Sequence, residues 1–276
     1  AKENPEFIDT SFIAQCLSAK GVLHKSLEKP NEYSLNSLAS QFSHEAVTLA
    51  ENFNRDTATL QLVYRDLLTY LTRIPDSTYF YTYLDKLSNL NPQHRYANPF
   101  RLEALWHFRR KNYNQSIKLY QKVIRQLDRN KISYNKIKLY DESYFVIANM
   151  FSEKGVLDST IYYELKNLTK GTPLYSKKYY TWEDIVNPEV KNERLHSFVE
   201  YGHLASTYAN FYKNSSENLD ALEKATKLFL ITDTLIFNYS MMADKDVSLN
   251  FLTQIVAWHY PNAVKAMHKL FQKTKE

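Results

Sequence analysis

The chain has 276 residues, of which 44% are hydrophobic, and its formal net charge is +5. Because its basic residues are spread along the sequence, no nucleic-acid partner is expected. Its four glycines lie too far apart for either nucleotide-binding glycine motif, and their scarcity disfavours a β-rich fold, whose tight turns use glycine. Cys16 is the only cysteine, which excludes an internal disulfide and a multi-cysteine zinc site.

Apolar residues recur at three- and four-residue spacing along most of the chain, which predicts a series of amphipathic helices. Short breaks with proline or polar residues separate these stripes, and Asp141 is expected to cap a helix that starts near Glu142. Many helices joined by short loops predict an all-α fold, an α-solenoid of stacked antiparallel helical hairpins. In chain order the stripes lie within 35–53, 60–71, 80–87, 117–127, 144–151, 161–168 and 225–235.

One aromatic segment, 175–193, interrupts this rhythm and predicts a short helix that opens at Thr181. Its aromatic residues either pack back on the helices or form an exposed contact loop. Packing is favoured, because clusters of exposed aromatic residues are uncommon in monomers. The residues concerned are Tyr175, Tyr179, Tyr180 and Trp182.

Two stretches match each other at a spacing of 44 residues, with Ala104 and Ser116 in the first and Ala148 and Thr160 in the second. Small residues at these positions let two helices cross closely, and Gly155 suits the turn between them. Both stretches resemble the tetratricopeptide repeat (TPR), whose standard length is about 34 residues. The resemblance implies a TPR-like superhelix that binds protein or peptide ligands. A third unit is expected at 204–225.

The segment 221–271 contains the run ALEKATKLFLITDTLI, then YPNA, and a helix that ends in KLF. This combination is similar to the region after the last repeats of CHAT-domain proteins of the Bacteroidetes, which are caspase-like peptidases fused to repeats. The resemblance implies that the catalytic His and Cys belong to a C-terminal domain of the same polypeptide. This chain would then be the repeat region alone, and that domain a partner within the molecule.

The domain organisation predicted from these features is one TPR-like array over 1–276. No stretch approaches 18 consecutive apolar residues, so no membrane span is expected, and no signal peptide is recognised. The sequence does not choose between the cytoplasm and the periplasm of a bacterium. The predicted parts are degenerate hairpins at 1–95, the best repeats at 96–172, the aromatic insertion at 173–195, and the last repeat with terminal helices at 196–276.

Residues with catalytic or metal-binding chemistry form no specific motif. His196, Glu200 and His203 share roughly one helical face, but three ligands from one helix make a weak site, so solvated histidines are favoured. Cys16 is interpreted as a buried small hydrophobe, because lone cysteines more often have that role than a nucleophilic one. No cofactor or metal is expected.

A basic stretch that contains one tyrosine follows the first of the two matching stretches, in the expected linker between repeats. The rim of a groove for an acidic peptide is favoured there over nucleic-acid binding, because polar residues are common in linkers. The stretch comprises Arg125, Arg129, Lys131, Tyr134, Lys136 and Lys138.

Ligands of a solenoid bind mainly on its concave face, which the first helix of each hairpin lines. The sequence therefore predicts a non-catalytic interaction or scaffold module whose candidate residues lie on those helices. For Tyr144 and Tyr208, packing in the core is an equal alternative. The candidates are Arg101, His107, Arg110, Tyr144, Asn149 and Tyr208.

Two other functions stay open at this point. One is the repeat sensor region of a membrane-attached histidine kinase or transcription regulator. The other is a carbohydrate-binding helical outer-membrane lipoprotein, which the 22 tyrosines and three tryptophans suggest.

Overall fold

The computed structural model describes residues 10–29, 33–53, 56–75, 78–90, 98–129, 134–170, 172–186, 197–214, 218–242 and 248–274. Within these ranges every regular element is a helix, so the predicted all-α class is confirmed. The α-helices in chain order are α1 (Thr10–Leu27), α2 (Leu38–Phe53), α3 (Thr57–Leu71), α4 (Thr78–Asn89), α5 (Pro99–Arg109), α6 (Tyr113–Arg129), α7 (Tyr134–Glu153), α8 (Leu157–Thr169), α9 (Trp182–Val186), α10 (Ser197–Asn214), α11 (Leu219–Met242) and α12 (Ser248–Thr274), and a 3-10 helix (Pro173–Ser176) precedes α9.

The chain divides into two compact units, 1–143 and 144–276, at a boundary that lies within α7. In the first unit α1 packs on both α2 and α3, and α3, α4, α5 and α6 follow one another as neighbours. In the second unit α8 contacts α10, and α10, α11 and α12 pack together. Helices that are close in sequence therefore pack together within each unit, whereas one continuous solenoid over 1–276 stays a prediction.

The crossing of α1 and α2 is lined by small residues, which let the two backbones approach closely. A Cβ atom added to Gly21 would lie 2.6 Å from Ser43 Oγ and 3.1 Å from the carbonyl oxygen of Ala39. Ser43 Oγ donates a hydrogen bond of 2.8 Å to that same carbonyl, which fixes its position. This crossing therefore requires glycine at position 21.

The connection between α1 and α2 is fastened to α3 by the hydroxyl of Tyr70. This oxygen accepts a hydrogen bond of 3.2 Å from the Ser34 N–H, and it lies 2.5 Å from Ser37 Oγ and 3.1 Å from Glu28 Oε2. The ring beneath it is only 1% exposed. The largest fully buried apolar side chains around it in the first unit are Leu67, Leu68, Leu71, Phe80, Leu87 and Leu102.

The turn between α5 and α6 holds Lys111 in the left-handed region, with φ of 58°. The Lys111 N–H donates to the carbonyl of Phe108 at 2.9 Å, and the Asn112 N–H donates to that of His107 at 3.0 Å. These two bonds form the helix-terminating arrangement in which glycine is usually found at the left-handed position.

The turn between α7 and α8 has the same arrangement, with Gly155 at φ of 70°. Its N–H donates to the carbonyl of Ser152 at 2.9 Å, and the Val156 N–H donates to that of Phe151 at 2.9 Å. The predicted role of Gly155 in the turn is therefore confirmed.

The small residues that were predicted to lie at helix crossings are all buried. Ala104, Ala148, Ser116 and Thr160 are each at most 1% exposed. At the first crossing Ser116 Oγ donates 2.7 Å to the carbonyl of Ala104 and so links α6 to α5. The burial of these positions is thus confirmed in both stretches, and their contact across two helices in the first.

The predicted helix cap at Asp141 is wrong. Helix α7 runs unbroken through this position, so Asp141 lies in the helix interior. Ile137 and Tyr140 continue the apolar spacing of Tyr144 towards the N-terminus, and no Pro or Gly interrupts the run. For the same reason Lys136 and Lys138 belong to a helix rather than to a linker.

The aromatic insertion packs back on its own unit. Tyr179 is 78% exposed, but the other three aromatic residues contact α7, α8 or α10. The packing interpretation is therefore confirmed for these three. Their contacts are Tyr175–Tyr144 through the two hydroxyls at 2.5 Å, Tyr180–Thr169 through the hydroxyls at 3.0 Å, and Trp182–Tyr208 at 6.5 Å between ring centroids.

A short helix, α9, opens after Thr181 as the sequence predicts. The Asp184 N–H donates to Thr181 Oγ1 at 3.2 Å, and the Thr181 N–H donates to Asp184 Oδ2 at 3.0 Å. These reciprocal bonds satisfy two backbone donors at the helix start. The segment before α9 is held by Lys166 of α8, whose Nζ donates to the carbonyls of Tyr175 and Lys177 at 2.7 and 2.8 Å.

The residues of the predicted third unit lie on α10 and α11, which pack together. Leu204 and Ala205 of α10 and Ala221 and Ala225 of α11 are at most 2% exposed and belong to one core. The described helices include none that is both long and apolar enough to cross a membrane.

Candidate functional site

The six candidate residues fall into two groups of three, one in each unit. In the first unit, Arg101 of α5 makes a bidentate ion pair with Glu142 of α7, at 2.8 Å from Nε to Oε1 and 3.0 Å from Nη2 to Oε2. The Arg101 side chain is 13% exposed. A half-buried pair of this geometry orients both partners and connects the two helices.

His107 lies at the end of α5. Its Nε2 is 3.9 Å from Glu103 Oε1, and its Nδ1 is 3.3 Å from Asn112 Nδ2. Burial, and next the charge of Arg110, lower the pKa of His107, so the ring is neutral at physiological pH. A neutral ring of this kind packs against its neighbours and adds no charge to the surface.

Arg110 links α5 to the end of α3. Its Nη1 donates to the carbonyl of Thr72 at 3.1 Å and its Nη2 to that of Ile74, so the guanidinium satisfies carbonyls that the end of α3 leaves without partners. The same group stacks on the ring of Trp106, 3.6 Å from the ring centroid. This side chain therefore has a fixed position.

In the second unit, Tyr144 is 5% exposed and its hydroxyl meets that of Tyr175. Tyr208 is half-buried against Trp182, and burial raises its pKa to about 12, followed by the charges of Asp220 and Glu164. Asn149 is half-buried on α7. The two tyrosines thus contribute to packing.

A pocket in the first unit joins Arg110 to two further arginines. We call it the arginine pocket; its volume is about 470 Å³, and none of the described residues that line it is acidic. It collects side chains from the connection before α2, the end of α3 and the end of α5. Its lining residues are Tyr33, Thr72, Arg73, Pro75, Arg109 and Arg110.

The charges in the arginine pocket repel one another. Burial is the main cause that lowers the pKa of Arg109, to about 10, and the next is the charge of Arg73. Burial, and next Arg73, also lower the pKa of Lys25 on α1. The carboxylate whose charge acts on Arg73 is Glu28, beside the Tyr70 hydroxyl. The cluster is therefore positive, and burial first and repulsion second disfavour the protonated forms of Arg109 and Lys25.

The guanidinium groups of Arg73 and Arg109 are incompletely hydrogen-bonded within the protein. Arg73 Nε and Arg109 Nη1 are both buried, and neither has a hydrogen-bond partner. The Arg73 guanidinium stacks on the Tyr33 ring, 4.5 Å from the ring centroid, which orients its plane. Fixed, planar, positively charged groups suit a carboxylate or another anion with several oxygen atoms.

Sequence reasoning identified Arg110 but missed Arg73, Arg109 and Tyr33. Arg109 and Arg110 are adjacent in sequence at the end of a helix, where basic residues are common because of the helix dipole. Arg73 comes from a different helix end. Their proximity depends on the packing of α3 with α5, which the apolar spacing does not specify.

The remaining candidates from the sequence were a group of histidines, Cys16 and the basic stretch. His196 lies outside the described residues, and within the described ranges no group of three or more metal-ligating side chains occurs. Cys16 is exposed on α1, so its interpretation as a buried residue is wrong. In the basic stretch, Lys131 and the side chains of Arg129, Tyr134, Lys136 and Lys138 lie outside the described part.

No protein-family model, no curated protein and no solved structure matches this chain. The resemblances to tetratricopeptide repeats and to CHAT-domain proteins therefore remain predictions from the sequence.

Proposed function

We propose that this chain is a non-catalytic protein-interaction module that binds an acidic segment of a partner at the arginine pocket. The observation that supports this most is the cluster of Arg73 and Arg109, two guanidinium groups that each have a buried nitrogen without a hydrogen-bond partner. The described residues that line the pocket include no acidic one. A carboxylate placed there would offset the mutual repulsion of the arginines and accept their hydrogen bonds.

The partner is proposed to be a polypeptide with Asp or Glu side chains. The lining combines guanidinium groups with Tyr33 and Pro75, and Trp106 lies behind Arg110. Such a mixture of aromatic, apolar and cationic groups suits an acidic peptide with apolar neighbours, because each part of the peptide finds a matching surface.

The helical hairpins are proposed to be TPR-like repeats. The matching turns at Lys111 and Gly155 support this, as does the burial of the matching alanines Ala104 and Ala148. The narrower proposal is that the repeats regulate a caspase-like domain of the same polypeptide. It rests on the residues of 221–271, and the gene sequence beyond Glu276 tests it, since a downstream domain without a His/Cys pair would contradict it.

The test of the acidic-peptide proposal uses a fluorescein-labelled hexapeptide of alternating Asp and Glu, with an amide twin of Asn and Gln. Fluorescence anisotropy with the full chain should show binding of the acidic peptide and at least tenfold weaker binding of its twin. Arg73→Gln and Arg109→Gln should each weaken binding by about tenfold, the usual effect of losing one charge-assisted hydrogen bond.

The matched control is Arg125→Gln, which removes the same charge from an exposed position on α6. It should change the affinity by less than twofold. Equal losses for Arg125→Gln and Arg109→Gln would show that only net charge matters and would overturn the proposed pocket. As a second readout, Arg109→Gln should not lower the melting temperature, because it removes a repelled charge.

A further inference from the structure

A second pocket rich in cations lies in the unit 144–276. It is a cleft of about 360 Å³ between α10 and α12, to which Leu222 of α11 also contributes. We call it the lysine cleft. Its lining residues are Ser206, Ala209, Asn210, Lys213, Leu222, Asn262, Lys265, Ala266 and Lys269.

The spacing of these residues explains why their side chains converge. On α10, Ser206, Asn210 and Lys213 are four and three residues apart, which places them on one stripe of the helix. Asn262, Lys265 and Lys269 form the same kind of stripe on α12. Two stripes of hydrogen-bond donors thus face one cleft, and the small side chains of Ala209 and Ala266 leave it open.

The polar groups of the lysine cleft are mainly donors. The three ammonium groups are donors only, the two amides each carry an NH₂ group, and the lining residues that the structure describes include no Asp or Glu. Ser206 Oγ is buried and has no hydrogen-bond partner. A buried hydroxyl without a partner is unfavourable, and an oxygen-rich ligand in the cleft would provide one.

The charge pattern also favours an anion with more than one negative charge. Lys265 and Lys269 are four residues apart on α12, an arrangement of like charges that destabilises a helix. Lys213 adds a third positive charge from α10. A carboxylate carries one negative charge, whereas a phosphate monoester carries about 1.5 to 2 at pH 7 and has three acceptor oxygens.

We infer that the lysine cleft binds a phosphate group, with Lys213, Lys265 and Lys269 as its cations and Ser206 as a hydroxyl donor. The ligand chemistry is a phosphate monoester, carried either by a small molecule or by a phosphorylated side chain. The lysine cleft shares no residue with the arginine pocket, so this inference is independent of the acidic-peptide proposal.

The experiment is calorimetric titration of the full chain at fixed ionic strength with inorganic phosphate, a phosphoserine pentapeptide and the unphosphorylated pentapeptide. Phosphate and the phosphopeptide should bind, and the unphosphorylated peptide should not. A phosphopeptide that binds at least tenfold more tightly than phosphate indicates a phosphorylated side chain as the natural source. Equal affinities indicate a small phosphorylated molecule. Absence of binding by both phosphate-bearing probes overturns the inference.

Variants then locate the site. Lys265→Met and Lys269→Met should each weaken binding of the phosphate-bearing probes by about tenfold, and Ser206→Ala by a smaller factor. The matched control is Lys227→Met, which removes a charge from an exposed position on α11. This control should leave the affinity within twofold. If Lys227→Met weakens binding as much as Lys265→Met, attraction to net charge explains the binding and the lysine cleft is not the site.

Discussion

Lys111 and Gly155 occupy the same position of the same turn, 44 residues apart, and both have a left-handed backbone, with φ of 58° and 70°. The spacing equals that between the buried residues Ala104 and Ala148, so the turn and the buried alanine repeat together. One turn has glycine and the other has a residue with a side chain. Substitutions in the two turns can therefore be compared to measure how much a side chain at the left-handed position lowers the free energy of unfolding.

Lys111→Gly should stabilise the protein. A left-handed residue with a Cβ is strained by roughly 1–2 kcal/mol, and the greater freedom of glycine in the unfolded chain offsets part of the gain. We expect a net increase of about 0.5–1 kcal/mol in the free energy of unfolding, measured by urea denaturation.

Gly155→Ala should have the opposite effect, a loss of about 0.5–1 kcal/mol in the same measurement. No atom lies within 4 Å of a Cβ added there, so the whole effect must come from the backbone. Changes of the same sign in the two variants would show that the two turns are not equivalent.

Gly21→Ala should destabilise the protein although alanine favours helices. Its Cβ would come within 2.6 Å of Ser43 Oγ, so α1 and α2 must separate or shift. We expect a loss of about 1–3 kcal/mol in the free energy of unfolding, as for other overpacked contacts. Thermal denaturation followed by circular dichroism measures it.

The rescue variant for this contact is Gly21→Ala combined with Ser43→Ala. Removing the hydroxyl takes away the shortest contact, so part of the lost stability should return. The coupling between the two changes is read from a double-mutant cycle. Additive effects would mean that the Ser43 hydroxyl does not restrict position 21.

Glu164 should make stability fall as the pH rises. Its Oε1 accepts a hydrogen bond of 2.8 Å from Thr207 Oγ1, its Oε2 is buried without a partner, and burial raises its pKa to about 8 from 4.5. Between these two values the folded state holds a proton that the unfolded state has released. The contribution of Glu164 to the free energy of unfolding is therefore complete below pH 4.5 and is lost as the pH rises to 8.

Urea denaturation of the wild type and Glu164→Gln between pH 5 and 9 checks this. The stability of the variant relative to the wild type should increase over this range by a few kcal/mol, since one pKa unit corresponds to about 1.4 kcal/mol. Glu223→Gln, at an exposed position of α11, is the control and should show no such trend. A pH-independent difference for Glu164→Gln would exclude a protonated carboxyl in the folded state.

Lys166→Met should loosen the aromatic insertion. The Lys166 Nζ bonds two carbonyls of the insertion and lies 5.1 and 5.5 Å from the ring centroids of Tyr175 and Tyr180. Methionine keeps the length of the side chain but removes the charge and the donors. Trypsin cleavage after Lys177 should accelerate severalfold, measured by mass spectrometry of the fragments.

The control for this prediction is Lys178→Met. Lys178 is exposed within the same segment and its ammonium lies over the exposed ring of Tyr179, 5.3 Å from the centroid. It should leave the cleavage rate after Lys177 close to that of the wild type. Similar acceleration in both variants would show that Lys166 does not hold the insertion in place.

The sequence predicted the crossings and one of the two turns because these features are local. Ala104 and Ser116 are small residues at a spacing that recurs, and Gly155 is a residue type whose backbone preference is known. Lys111 was missed, because lysine is seldom found in the left-handed region. Asp141 shows the opposite error, since a residue that often caps helices is helical here when the apolar spacing continues through it.

The candidate site was less predictable because it depends on contacts between distant residues. Arg110 was expected to face a ligand, and in the structure it also bonds the carbonyls of Thr72 and Ile74, more than 35 residues earlier in the chain. Arg73 and Arg109 do not belong to one repeating pattern in the sequence. Only the packing of one helix end on another brings them to one pocket.

The double attachment of Arg110, to the end of α3 and to the Trp106 ring, has a consequence for the kinetics of any partner that docks beside it. An arginine in water samples many rotamers, and a binding site built from such residues must order them at each encounter. For Arg110 that ordering is complete when the protein folds. The entropy lost on association then comes mainly from the partner, so a rigid, cyclised acidic peptide should dissociate more slowly than its linear counterpart.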